Sequence, residues 1–186
     1  MNLSQMNDCL ERSPIIAAGR DDMWQAALAS PAEVLFMLGA NLLSVADRIA
    51  EAHEKGKYVL VHIDLAEGIG KDKTGIEYLR SVGADGIIST RAGIIRSARE
   101  AGLLTVQRFF ALDSQGIGGI GDMLESSRAD MLEIMPGVIG KVIAKFAGGR
   151  VPVIAGGLIE DKAEVPEALA NGAVAVSTGS SSLWSL

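Results

Sequence analysis

What most constrains this chain is a repeat in its hydropathy. Eight short apolar runs, Ile15–Ala18, Val34–Leu38, Tyr58–Asp64, Gly86–Thr90, Leu104–Phe109, Met131–Met135, Val151–Ala155 and Ala173–Thr178, alternate with stretches of helical period. The clearest of those stretches puts Leu42, Val45, Ala46, Ile49 and Ala50 on one side and Asp47, Arg48, Glu51 and Glu54 on the other. Strands that alternate with helices along a whole chain pair in parallel. Eight such units suffice to close a sheet on itself, so the expected fold class is α/β, a compact TIM-type (β/α) barrel. Such barrels usually take ~250 residues, and this chain has 186. Its helices must therefore be short and its loops minimal. The Asp21–Ser30 segment between the first two strands has room for about two helical turns, so one degraded helix or incomplete unit is expected.

The length suits one domain, residues 1–186, with residues 1–12 as an N-terminal arm or helix. No linker or low-complexity segment interrupts it. Start and stop signals agree with the strand and helix pattern. Asp161-Lys162-Ala163-Glu164 reads as a capping box, and Val82-Gly83 and Asn171-Gly172 read as helix stops that feed directly into strands. Lys and Arg total 17 against 23 Asp and Glu, a net charge of -6. That balance disfavours a general polyanion binder, which needs Lys and Arg to neutralise phosphates. An aromatic share of 4% leaves little for a base-stacking platform. The one cysteine, Cys9, cannot form an internal disulfide, and a reduced, cytoplasmic setting fits it best. No run approaches the roughly 18 apolar residues of a membrane span.

Alternation along each strand indicates which residues enter the barrel. In strand three the polar parity carries His62 and Asp64, in strand five Thr105 and Gln107, in strand six Glu133 and in strand eight Ala175 and Ser177. These are taken as luminal. The polar ones fall late in their strands, at the carboxyl end where this fold places its sites.

Two glycine-bearing turns stand out there. Ala155-Gly156-Gly157-Leu158 ends strand seven and Thr178-Gly179-Ser180 ends strand eight. Glycine lets the backbone approach an anion, and loops after strands seven and eight are the recurrent phosphate site of this fold. A phosphate is therefore expected on Gly156, Gly157, Thr178, Gly179 and Ser180. His62 and Asp64 admit two readings, a general base or metal-ligand pair, or a hydroxyl-binding carboxylate beside a His that fills the lumen; the second is preferred. With Glu133 as the only other strand carboxylate at the mouth, the donor set is thin for a metal, and neither metal nor cofactor is expected. Arg91 and Arg108 follow strands four and five and suit an anion through the guanidinium fork. No lysine lies in the second half of a strand, which argues against Schiff-base chemistry. The loop after strand three, with Gly68, Gly70, Lys71, Lys73 and Gly75, reads as a mobile lid over the mouth.

Taken in order, Val61-His62-Ile63-Asp64-Leu65, Gly86-Ile87-Ile88-Ser89-Thr90-Arg91, Val106-Gln107-Arg108, Leu132-Glu133-Ile134-Met135-Pro136-Gly137-Val138, Ala155-Gly156-Gly157-Leu158-Ile159 and Gly172-Ala173-Val174-Ala175-Val176-Ser177-Thr178 resemble the glycerol uptake operon antiterminator regulatory proteins, over about Pro14 to Trp184. The resemblance implies a regulator, not an enzyme. Such a regulator senses glycerol 3-phosphate and binds leader mRNA, promoting transcription antitermination of glycerol-utilisation genes. On that basis the ester's phosphate would sit on the two glycine turns and its glycerol moiety would face His62, Asp64, Gln107 and Glu133. The ester would shift the Glu67–Gly75 loop into an RNA-competent state. RNA or further anion contacts would come from Arg91, Arg108, Arg96 and Arg99, or from the Lys141, Lys145 and Arg150 cluster. No membrane partner is implied, and a homodimer is left open. The alternative is a phosphate-ester enzyme of isomerase or glycerol-phosphate transferase type, with Asp64 or Glu133 as base and His62 as acid.

Overall fold

A computed structural model describes residues 1–186. Eight strands, β1 (Ile15–Gly19), β2 (Val34–Met37), β3 (Tyr58–His62), β4 (Gly86–Ser89), β5 (Leu104–Phe110), β6 (Met131–Met135), β7 (Val153–Gly156) and β8 (Ala175–Thr178), follow one another round a closed parallel barrel. β8 closes onto β1 through Ile15–Val176, Ile16–Ser177 and Ala17–Thr178. Nine helices accompany them: α1 (Leu3–Arg12), α2 (Trp24–Ala29), α3 (Val45–Glu54), α4 (Lys73–Ser81), α5 (Ala92–Glu100), α6 (Ser114–Gly118), α7 (Ile120–Ser127), α8 (Gly140–Phe146) and α9 (Glu164–Ala170). This is the TIM-type barrel that the hydropathy repeat anticipates.

The barrel itself is complete, so the shortening lies in the helices alone. α2 is only six residues behind a 3-10 turn at Asp21–Met23, and β8 is followed by a single 3-10 turn at Ser181–Leu183. Trp184 takes up part of the work of a helix there. It is 1% exposed, its indole packs beside Gly19, and its Nε1 donates to Thr178 O at 2.8 Å. The capping box is half realised. α9 begins at Glu164 with Ala163 as its cap, while Glu164 Oε2 accepts from the amides of Glu160 and Asp161 at 2.8 and 2.9 Å. Asp161 does not cap because the helix starts beyond its reach.

Two apolar layers hold the structure. Thirty-eight buried residues pack between strands and helices, and fourteen more fill the lumen. The luminal set includes Phe36, Leu60, Ile88, Val106, Met131 and Ile154, with Met6, Cys9 and Leu10 of α1 closing the amino-terminal end. Because Leu104 and Val106 belong to the luminal set, Thr105 and Gln107 lie on the other parity. The expected orientation of strand five is thus reversed, and Arg108, in phase with Val106, points inward. β5 pairs Arg108 with Glu133 in register, which sets both luminal side chains at one height. A polar layer therefore caps an apolar lumen at the carboxyl end.

Candidate functional site

The two glycine turns meet in a groove of about 580 Å³ lined by Gly157–Asp161 and Thr178–Ser180. Gly157 and Leu158 both have left-handed backbone, φ 71° and 57°. Consecutive residues of one helical hand aim successive amides in one direction, as in the opening turn of a helix. The N–H groups of Gly157, Leu158 and Gly179 donate to no protein acceptor. For a leucine, which is 66% exposed here, the left-handed conformation costs roughly 1–2 kcal/mol, and such strain is commonest at ligand sites. Thr178 latches the two turns together: its Oγ1 donates to Ile159 O at 2.7 Å and accepts the Ser180 amide at 3.0 Å. No basic side chain lines the groove, while Glu160 and Asp161 do, so its only positive potential is that of main-chain amide dipoles.

One residue inward lies the polar layer of the lumen. Arg108 grips Glu133 with two bonds, Nε to Oε2 at 2.5 Å and Nη2 to Oε1 at 3.2 Å, and Ser177 Oγ donates to Oε1 at 2.5 Å. Arg108 is 6% exposed and the Glu133 side chain 0%. Arg108 Nη1 makes no bond to protein. Gly156 closes over the cluster. A Cβ there would come within 2.5 Å of Glu133 Oε1 and 2.6 Å of Ser177 Oγ. Its glycine is therefore required by the carboxylate beneath it as much as by any anion above. His62 completes the layer, with Nδ1 buried and unpartnered. Burial, and next the positive charge of Arg108, push its pKa down to about 4, so the imidazole is neutral near pH 7.

Asp64 sits just beyond β3, in a 3-10 turn at Ile63–Leu65, and ties β3 to β4. It accepts from Ser89 Oγ, from the amide and hydroxyl of Thr90, and from Arg91 Nε and Nη2 at 3.0 and 2.8 Å. Burial opposes its charge, but the Thr90 amide, Arg91 and the two hydroxyls together outweigh burial and hold its pKa below the usual carboxylate range. Gln107 reinforces the same corner, its Nε2 donating to Ser89 O and Thr90 O at 3.1 and 2.9 Å, while its Oε1 is buried without a partner. The loop after β3 is not the expected free lid. Glu67 forms a parallel bridge with Asn41, Leu42 N donates to Glu67 O and Glu67 N to Ala40 O, and Ile69 is buried.

The structure thus brings Gly156, His62, Arg108 and Glu133 together at the barrel end, with Gly157, Thr178, Gly179 and Ser180 beside them. Asp64, Arg91 and Gln107 form a separate tie between β3, β4 and β5. Arg96 and Arg99 lie on the outer helix α5, where Arg96 Nη1 reaches Ser126 O at 3.5 Å and Arg99 Nη1 bonds Arg128 O and Asp130. Burial of Arg108 against Glu133 removes it from the reach of a nucleic acid. Two contributors escaped the sequence reading: Ser177 as a donor to Glu133, which its luminal parity could have indicated, and Leu158, whose left-handed backbone no local signal announces. No group of three His, Cys, Asp or Glu side chains is placed to hold a metal ion. No helix is long and apolar enough to cross a membrane.

Comparison with known proteins adds a consistent pattern. The family described as "Glycerol-3-phosphate responsive antiterminator" matches residues 15–184. An uncharacterised protein of Escherichia coli K12, YgcP, is 34% identical over 180 residues, 95% of this chain and 94% of its own. Among solved structures, the glycerol uptake operon antiterminator regulatory protein of Listeria monocytogenes is 32% identical with a TM-score of 0.87, covering 92% of this chain and 95% of that one. A glycerol uptake operon antiterminator-related protein of Thermotoga maritima is 34% identical with a TM-score of 0.82, over 91% and 96%.

Proposed function

Since this chain belongs to the glycerol-3-phosphate responsive antiterminator family, we propose that it senses glycerol 3-phosphate at the carboxyl end of its barrel and, in the liganded state, binds leader mRNA to prevent premature termination. The observation that carries this reading is the set of unpaired amides at Gly157, Leu158 and Gly179, one residue from a buried polar floor. A phosphate monoester needs both parts. Its oxyanion takes the amides, with Thr178 and Ser180 framing the groove, and its hydroxyls reach toward Arg108 and His62. Glu133, wholly covered, holds Arg108 in place rather than meeting the ligand directly. Asp64, with Gln107, shapes the β3–β4 corner of the mouth.

A neutral imidazole and a guanidinium fixed by its carboxylate suit recognition of hydroxyls and charge. Schiff-base chemistry would need a luminal amine near the mouth, and the buried lysine, Lys57, spends its Nζ on Ser30 O and Ala32 O at the other end of β3. This favours the sensor over the enzyme. RNA would meet the exposed cations outside the barrel, with Lys141, Lys145 and Arg150 freer than Arg91, Arg96 and Arg99, which already hold internal bonds. Thermal unfolding tests the reading. At ~100 times its dissociation constant, sn-glycerol 3-phosphate should stabilise the chain by ~2.7 kcal/mol, while glycerol or inorganic phosphate at equal concentration should do much less. Leader RNA should then shift in a gel with the ester and not without it. Equal stabilisation by all three compounds, or ester turnover, would defeat the proposal.

A further inference from the structure

Most of the eight loops at the carboxyl end are bonded to a neighbour. Leu38 N donates to Gly19 O, linking the loops after β1 and β2. Asn41, Leu42 and Glu67 zip the next pair, and Asp64 joins β3 to β4. Gly137 N reaches Gly156 O and Gly157 O, and Thr178 and Trp184 secure the last two loops.

The loop after β5 is different. Ala111 N bonds Met135 O at its root, but from Leu112 to Gly119 no hydrogen bond reaches another loop. α6 carries no buried residue, and Asp113 merely caps it through Gly116 N. Leu112 is 84% exposed and Phe110 46%, just beyond Arg108 on the same strand. Two helical glycines of this segment, like Gly93 of α5, have open space around them. Gly118 and Gly121 lie in helical segments without left-handed backbone, and a Cβ at either would meet nothing within 4 Å. Sterics therefore do not demand glycine at these two positions. Each weakens the helix relative to alanine, so the local fold is held near the point of opening.

We propose that residues 112–119 form a ligand-responsive flap over the phosphate-ester site; this rests on the sensor reading above and supplies its moving part. In the open state α6 unravels. The bound ester holds it shut, with Leu112 and Phe110 turned onto the ester's carbon chain and water kept from Arg108. A ligand moves such a balance only by preferring the closed state, and a helix kept weak by glycine lets a small ligand do so.

Hydrogen exchange on the whole chain, read by mass spectrometry with and without saturating sn-glycerol 3-phosphate, tests this. Amides of residues 113–119 should exchange among the fastest of the barrel without ester and slow at least about tenfold with it. The Gly118→Ala variant should slow them without ester by roughly fivefold, since alanine favours α6 by about that factor. It should also bind the ester more tightly, by up to about the same factor. If thermal shift shows the ester bound while exchange at 113–119 is unchanged, the flap is refuted and the sensor stands. If that alanine leaves exchange unaltered, the flap is likewise refuted. If the ester does not bind at all, both fall together.

Discussion

Replacing Arg108 by Met should be among the most damaging single changes available to this barrel. The Glu133 side chain is 0% exposed and is held by two guanidinium bonds and one from Ser177. Without Arg108 a carboxylate is left inside the wall with a single hydroxyl donor. Breaking a buried pair in this way costs about 3–5 kcal/mol. For a domain of this size each kcal/mol lowers Tm by ~2–4 °C, so the variant should melt roughly 6–20 °C below the parent. Urea unfolding at pH 7 gives the free energy directly. The companion variant Arg108→Met/Glu133→Met removes both charges and leaves only the Ser177 hydroxyl without its acceptor, a loss of about 1–3 kcal/mol. It should recover about 2 kcal/mol of the single variant's deficit. A single variant within ~1 kcal/mol of the parent, or a double variant no better than the single, would refute the idea that Arg108 neutralises a sealed carboxylate.

Other consequences are open to measurement. His62 is held near a pKa of about 4 against 6.5 when unperturbed, so the unfolded chain takes up its proton first as pH falls. The stability this residue contributes is complete above pH 6.5 and is lost progressively down to about pH 4, by roughly 3 kcal/mol; urea unfolding of His62→Gln against the parent should differ in slope across that window alone. Gly156→Ala drives a methyl into Glu133 and Ser177 and should cost about 1–3 kcal/mol, whereas Gly179→Ala, whose Cβ would meet only Ala18 O at 3.5 Å, should stay within about 0.5 kcal/mol in the same assay. Thr178→Val deletes one bond between the two turns and one within the β8 turn, and calorimetric titration should show sn-glycerol 3-phosphate binding about tenfold more weakly, ~1.4 kcal/mol.

Strand count, closure and the position of the mouth were legible because hydropathy period and burial share one cause: luminal and outer faces both exclude water. The β7 and β8 turns were legible for the same kind of reason, since glycines at strand ends mark close backbone approach. Strand five was misread because Gln107 is polar yet buried outside the lumen, where its side chain bonds the β4 carbonyls, while Arg108 turns inward to meet Glu133. Polarity alone cannot tell a luminal residue from one that ties loop ends together. The lid was misplaced for a related reason. Gly68, Gly70 and Gly75 look mobile in sequence, but Gly68 has left-handed backbone at φ 72° and Gly75 packs against Gly70 O, so these are glycines of close packing. Gly118 and Gly121 are glycines without that excuse, a distinction visible only once the space around each is known.

Backbone amide NMR during titration with sn-glycerol 3-phosphate puts the site to its most direct trial. The resonances of Gly157, Leu158 and Gly179 should move together and saturate with one dissociation constant, and the Gly179→Val variant, which narrows the groove, should abolish the movement. Saturable binding that leaves those three amides where they were, with changes gathered elsewhere on the surface, would mean the oxyanion lodges somewhere other than between β7 and β8.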